Sequence, residues 1–187
     1  METEKSLITI LALNVKGQLG RMCAFFGENN INILRLVLSA ADNKDIIHRT
    51  IAYVEGDRQY VNEVCKKMEK MENVLRVDNF MANDNFIEKE LCMVKVLSTD
   101  INYNLILNLV YEFSGKMIIA KGSIMIFELI DKEEIVSDFC NKLNRITRDI
   151  EIFRSGMLAT TISNTKSYET INNYLDNLDK KNSNNKK

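Results

Sequence analysis

Residues 7–38 decide the fold: Leu7–Asn14 is LITILALN, Val15–Gln18 is VKGQ, Leu19–Asn30 is LGRMCAFFGENN and Ile31–Leu38 is INILRLVL. The first piece is an apolar run with β-branched Ile8, Thr9 and Ile10, short enough for a strand. After Gly17, the residues Leu19, Met22, Cys23 and Phe26 recur at i, i+3, i+4 and i+7, which places them on one face of a helix ending near Gly27–Asn30. A second β-rich run follows at Ile33–Ser39. Glycine at a strand-to-helix turn lets the backbone approach a ligand closely, and the amides that open the helix suit a carboxylate. By themselves Gly17 and Gly20 require nothing beyond relief of steric crowding. Asn14 just before the turn and Asn32 entering the next strand add side-chain amides able to bond both charged ends of an amino acid, and Leu19 and Ile33 offer an apolar wall.

Outward from that stretch, Ile46–Val54 is another β-rich segment, reached through the hairpin-like Ala41–Lys44. Gly56 and Asp57 open a second helix bearing Val61, Val64, Cys65 and Met68, and Val74–Asn79 closes the unit as a strand. The same order then repeats. Leu91–Leu97 reads as a strand, Ser98–Asp100 as a capping run, and Ile106, Leu109, Val110 and Phe113 as a helical stripe. Lys116–Ala120 and Ser123–Ile130 are strands joined at Lys121–Gly122, Asp131 with Glu134 resembles a capping box for a helix bearing Val136, Phe139, Cys140 and Leu143, and Ile150–Phe153 is the last strand.

The expected fold class is therefore α+β, with two ferredoxin-like βαββαβ domains at residues 1–80 and 87–165, joined by the polar linker 81–86, MANDNF. Such a unit has both helices on one face of a four-stranded antiparallel sheet, so the other face needs a cover and dimerisation is expected. Residues 166–187 form a polar tail in which Ile171, Tyr174, Leu175 and Leu178 can make two turns of amphipathic helix, on its own domain or a partner; KKNSNNKK at its end is expected to be disordered.

Composition narrows the function. The chain is 45% hydrophobic and 27% charged with a net charge of −1, ordinary for a soluble domain and far from the basic excess of a duplex-binding protein. No apolar run reaches membrane-spanning length and METEKS is not a signal peptide, so a cytoplasmic protein with no membrane partner is expected. Cys23, Cys65, Cys92 and Cys140 are scattered, which fits buried small apolar groups better than disulfides or zinc. His48, the only histidine, has no nucleophile or carboxylate motif around it, and no P-loop, G-x-S-x-G or G-x-G-x-x-G is present, so catalysis and metal binding by this chain are not expected. RNA-recognition domains share the βαββαβ order, but LITILALN lacks the aromatic residues on which bases stack.

The run ITILALNVKGQLGRMCAFFGENNINILRL resembles the start of the regulatory (small) subunit of acetolactate synthase, and the likeness continues through RTIAYVEGD, VLRVDNF, IEKELCMVKV and IEIFRSGMLA. The resemblance implies an N-terminal ACT domain, a C-terminal ACT-like domain, and a homodimer binding valine between two ACT domains. It implies effector contacts at Asn14, Gly17, Gln18 and Leu19, with Asn32 and Ile33 supplied by the neighbouring protomer. It also implies a non-catalytic chain that activates a catalytic large subunit and confers feedback inhibition by branched-chain amino acids. Thiamine diphosphate, magnesium and FAD would belong to that large subunit, leaving no cofactor here. The family usually has Gly before an aromatic-Asn-Ile step and an acidic residue then Ser after it, where this chain has Asn30, Ile31, Leu34 and Arg35. Those departures lie beside the expected pocket, so activation of the large subunit follows from the resemblance more directly than valine as the effector. A free-standing ACT-domain sensor acting on another protein is the alternative.

Overall fold

The computed structural model describes residues 4–80, 86–97, 102–161 and 166–184. In chain order the elements are β1 (Glu4–Leu13), α1 (Gln18–Glu28), β2 (Asn32–Ala40), β3 (Ile47–Gly56), α2 (Arg58–Met68), β4 (Val74–Phe80), β5 (Phe86–Leu97), α3 (Tyr103–Glu112), β6 (Lys116–Lys121), β7 (Ile124–Asp131), α4 (Glu133–Ile146), β8 (Ile150–Thr161) and α5 (Lys166–Asn184). They form two compact units, residues 1–86 with 161–187 and residues 87–160.

In the first unit the sheet order is β2-β3-β1-β4. Strand β1 runs antiparallel to both neighbours, from Glu4 opposite Gly56 to Leu13 opposite Ile47 on the β3 side. Alternation along β1 sends Ile8, Ile10 and Ala12 into a core shared with Met22 and Phe26 of α1 and Val61, Val64, Cys65 and Met68 of α2. The helical stripes explain this packing, because each apolar face meets the sheet and each fully buried Ile, Phe or Met contributes about 1.5–3 kcal/mol of transfer free energy. Asp57 caps α2, its carboxylate accepting from the Tyr60 amide at 2.9 Å.

The second unit repeats the plan with sheet order β6-β7-β5-β8. Cys92, Val94 and Val96 of β5 and Met125, Phe127 and Leu129 of β7 face Ile106 and Val110 of α3 and Val136, Phe139 and Leu143 of α4. Glu90, buried in this unit, is held by Arg154, whose Nε donates to Oε1 at 3.0 Å and whose Nη2 donates to Oε2, while Nη1 donates to Ser137 Oγ at 3.1 Å. The pair joins IEKELCMVKV on β5 to IEIFRSGMLA on β8, and a buried carboxylate is tolerable only with such a partner.

Two α+β ferredoxin-like units agree with the sequence reading, but several local expectations need correction. Strand β8 extends well past Phe153. The capping box at Asp131 and Glu134 does not form: Asp131 ends β7, its carboxylate accepts from Lys89 Nζ at 2.9 Å and the Lys132 amide at 2.8 Å, and Lys132 occupies the N-cap position. Linker residues 81–85 and the capping run 98–100 lie outside the described residues, and the N-cap of α3 is Asn102. The tail carries a longer helix than two turns, extending through Lys180 and Lys181 to Asn184. It clusters with the first unit because Ile171, Tyr174 and Leu175 meet Leu11, Leu13, Ile47 and Leu75 on the sheet face opposite α1 and α2.

Candidate functional site

The turn after β1 is fixed from several directions. Leu13 N donates to Asn73 O at 2.8 Å, Asn14 N to Ile46 O at 2.8 Å and Gln18 N to Val15 O at 3.1 Å. Gly17 occupies the N-cap of α1 at φ +80, ψ −3, and no side chain caps the helix. Among the described residues the amides of Leu19 and Gly20 have no backbone acceptor, so this end carries the uncompensated positive pole of the helix. Lys16 and Arg21 stand exposed beside it, adding positive charge. The arrangement favours a small anion.

A crevice of about 130 Å³ opens at this turn, lined by residues that include Asn14, Gly17, Gln18, Leu19, Leu38 and His48. Four of the six expected contacts therefore line one cavity in a single chain. Asn14 keeps its Oδ1 as an acceptor while Nδ2 donates to the Asp45 carbonyl at 2.9 Å. Gln18 is turned inward: Nε2 donates to Glu72 O at 3.1 Å and Oε1 accepts from Arg21 Nη2 at 2.5 Å, so its side chain braces the helix start. Asn32 and Ile33 lie elsewhere. They open β2 opposite Glu55 and Val54, whereas the crevice lies where β2 ends, near Leu38 and the Ala40–His48 pair. At about 3.3 Å per residue the two ends of β2 are roughly 25 Å apart.

His48 is a lining residue that sequence reading passed over. Its Nε2 is 3.2 Å from Asp45 Oδ1, and the β1–β3 register places it opposite Ala12. The strand and hairpin signals of residues 41–54 put the ring on a strand, but no motif marked it for the crevice. The departures at residues 30 and 31 are accommodated. Asn30 sits at φ +50, where glycine is also at ease and asparagine is tolerated, and Ile31 is buried in the core. Among the described residues, no group of three His, Cys, Asp or Glu side chains is placed to hold a metal ion, and no helix is long and apolar enough to cross a membrane.

Residues 89–163 match the family model described as "Small subunit of acetolactate synthase". The chain is 25% identical to an acetolactate synthase small subunit of Buchnera aphidicola over 82% of its own length and 95% of that protein. It is 26% identical to that of Haemophilus influenzae over 84% and 95%. The crystal structure of the small subunit from Thermotoga maritima superposes with a TM-score of 0.76 at 25% identity, covering 86% of this chain and 98% of that one. The chain is similar over most of its length to acetolactate synthase small subunits. The family match ends at residue 163, before α5 begins at Lys166.

Proposed function

We propose that this chain is the regulatory subunit of an acetolactate synthase: it binds a catalytic large subunit, raises that enzyme's activity, and couples it to a branched-chain amino acid held at Gly17. The similarity to acetolactate synthase small subunits carries the reading, and the crevice with its open helix end and Asn14 supports the effector's place. In the reading, the carboxylate lies against the amides at the start of α1, the ammonium meets Asn14 Oδ1, and the aliphatic side chain lies along Leu19 and Leu38. Thiamine diphosphate, magnesium and FAD belong to the large subunit, and the chain itself is non-catalytic and cytoplasmic.

The effector site is completed by a second copy. Strand β2 is an edge of its sheet, and Leu34, Leu36 and Leu38 are exposed along it. An edge strand with uncovered leucines is suited to pairing. Antiparallel pairing of β2 with its own copy about Leu36, the middle of Asn32–Ala40, carries the partner's Asn32 and Ile33 to the Ala40 end. Those two residues then arrive beside the crevice that holds Asn14 and Gly17. An effector acts on such a dimer only by binding one of its arrangements better than the other, and typical coupling of about 1–3 kcal/mol changes partner activity several-fold to a hundredfold.

Reconstitution tests the proposal. Adding this chain to the purified catalytic subunit should raise acetolactate formation from pyruvate several-fold, and valine should reverse the gain. A rate that this chain leaves unchanged would refute it.

A further inference from the structure

The crevice is backed by the β2–β3 hairpin, and the hairpin is backed by α5. Asn14 bonds to the hairpin twice, through its amide to Ile46 O at 2.8 Å and through Nδ2 to Asp45 O at 2.9 Å. His48, on the crevice wall, is tied to Asp45 Oδ1 at 3.2 Å. On the far side of the same segment, Ala41, Ile46 and Ile47 pack in one cluster with Ile171, Tyr174 and Leu175 of α5. Lys44 Nζ at the hairpin tip lies 3.4 Å from Asp179 Oδ1 near the end of the helix. Both members of that ion pair are exposed, so it guides the helix more than it holds it. The hold is apolar: Ile171 is 8% exposed, the only α5 side chain in the buried core among the described residues.

We propose that α5 is a positioning element for the effector crevice, with Ile171 as its anchor, setting the hairpin that presents Asp45 and His48 and thereby the affinity for the amino acid. The inference rests on the reading of the Gly17 crevice as the effector site. Because α5 lies beyond the family match, it gives this chain a means of tuning effector affinity without changing any residue that lines the crevice. The sequence of contacts is physical: loss of the Ile171 side chain from its seat frees Ile46 and Ile47, and the Asp45 carbonyl no longer holds the Asn14 amide in one orientation. An Oδ1 that samples several directions binds an ammonium more weakly, since ordering it is then charged to the binding step.

Two readouts on the full-length protein test this. Hydrogen exchange reports the hairpin directly, and calorimetry with valine reports the crevice. In Ile171→Asp the peptide covering residues 41–48 should exchange about tenfold faster while peptides within α1 and α2 keep their rates, and valine should bind about tenfold more weakly, within the usual span of coupling between sites. Ile171→Leu should restore both. Unchanged exchange in the hairpin, or faster exchange with unaltered valine affinity, overturns the proposal. Failure of the effector reading shows differently: the unmodified chain takes up no valine, although its hairpin still responds to Ile171→Asp, and the positioning role for the effector falls with it.

Discussion

Gly17 stands at φ +80, ψ −3, in the left-handed region, where a side chain costs roughly 1–2 kcal/mol. A Cβ built there would meet Arg21 Nη1 at 3.5 Å, an ordinary contact, so backbone strain is the whole penalty. Gly17→Ala should therefore lower unfolding free energy by about 1–2 kcal/mol in urea titrations. Gly17→Asp should cost no more, because aspartate tolerates this conformation better than most residues, yet its carboxylate would occupy the effector's anionic position. Calorimetry should show no valine binding to the Asp variant, and uptake at the original affinity would remove the anion from this turn. The residues around it divide by how local their causes are. Asn14 and Gly17 were legible because a strand, a glycine and a helix start lie within a few positions. Gln18 was expected at the turn, but its inward, bracing orientation was not, since that depends on the Glu72 carbonyl far along the chain. His48 reaches the crevice only through strand register.

At the scale of elements, the hairpin between β2 and β3 hangs on one carboxylate. Asp42 accepts from the amides of Lys44 at 2.7 Å, Ile46 at 3.0 Å and Ile47 at 2.6 Å. Burial pushes its pKa up, but these amides and the charge of Lys44 outweigh that and hold it below the usual aspartate value. A folded-state value lower than the unfolded one means that this contribution is present above about pH 4 and is lost as pH falls through the folded value. Asp42→Ala should cost about 1–2 kcal/mol at pH 7, and urea titrations down a pH series should find the gap to the unmodified chain closing in acid.

Most elements were readable from periodicity: the four-residue stripe of α2, Val61, Val64, Cys65 and Met68, is buried as its spacing required. Errors came where two signals competed. Asp131 carries a capping-box signature but also ends a strand opposite Glu90, within reach of Lys89, and the ion pair took it. Strand β8 outruns Phe153, the end expected from sequence, and Arg154 just beyond it is drawn inward by Glu90.

For the whole molecule, the decisive question is what covers the edge strand β2. In the proposed dimer, Leu36 meets its own copy at the twofold axis. Leu36→Glu would set two carboxylates against each other there, so sedimentation should show a monomer, and valine binding should fall with the loss of the partner's Asn32 and Ile33. A dimer that survives this change would place the association elsewhere. Sequence reading anticipated that a bare sheet face needs a cover and offered dimerisation as the remedy. In the first unit α5 supplies part of that cover from within the chain, burying Ile171 in one cluster with Leu11 and Ile47.

The position of α5 in the chain carries a further consequence, for synthesis. Its docking patch is made before the second unit and its own residues after it, so the N-terminal half emerges from the ribosome before that half can be finished. Until then Leu11, Ile47 and Leu75 lack their Ile171 partner, a sticky spot on a nascent protein. A message cut short after β8 would yield a complete second unit beside a first unit that chaperones keep visiting.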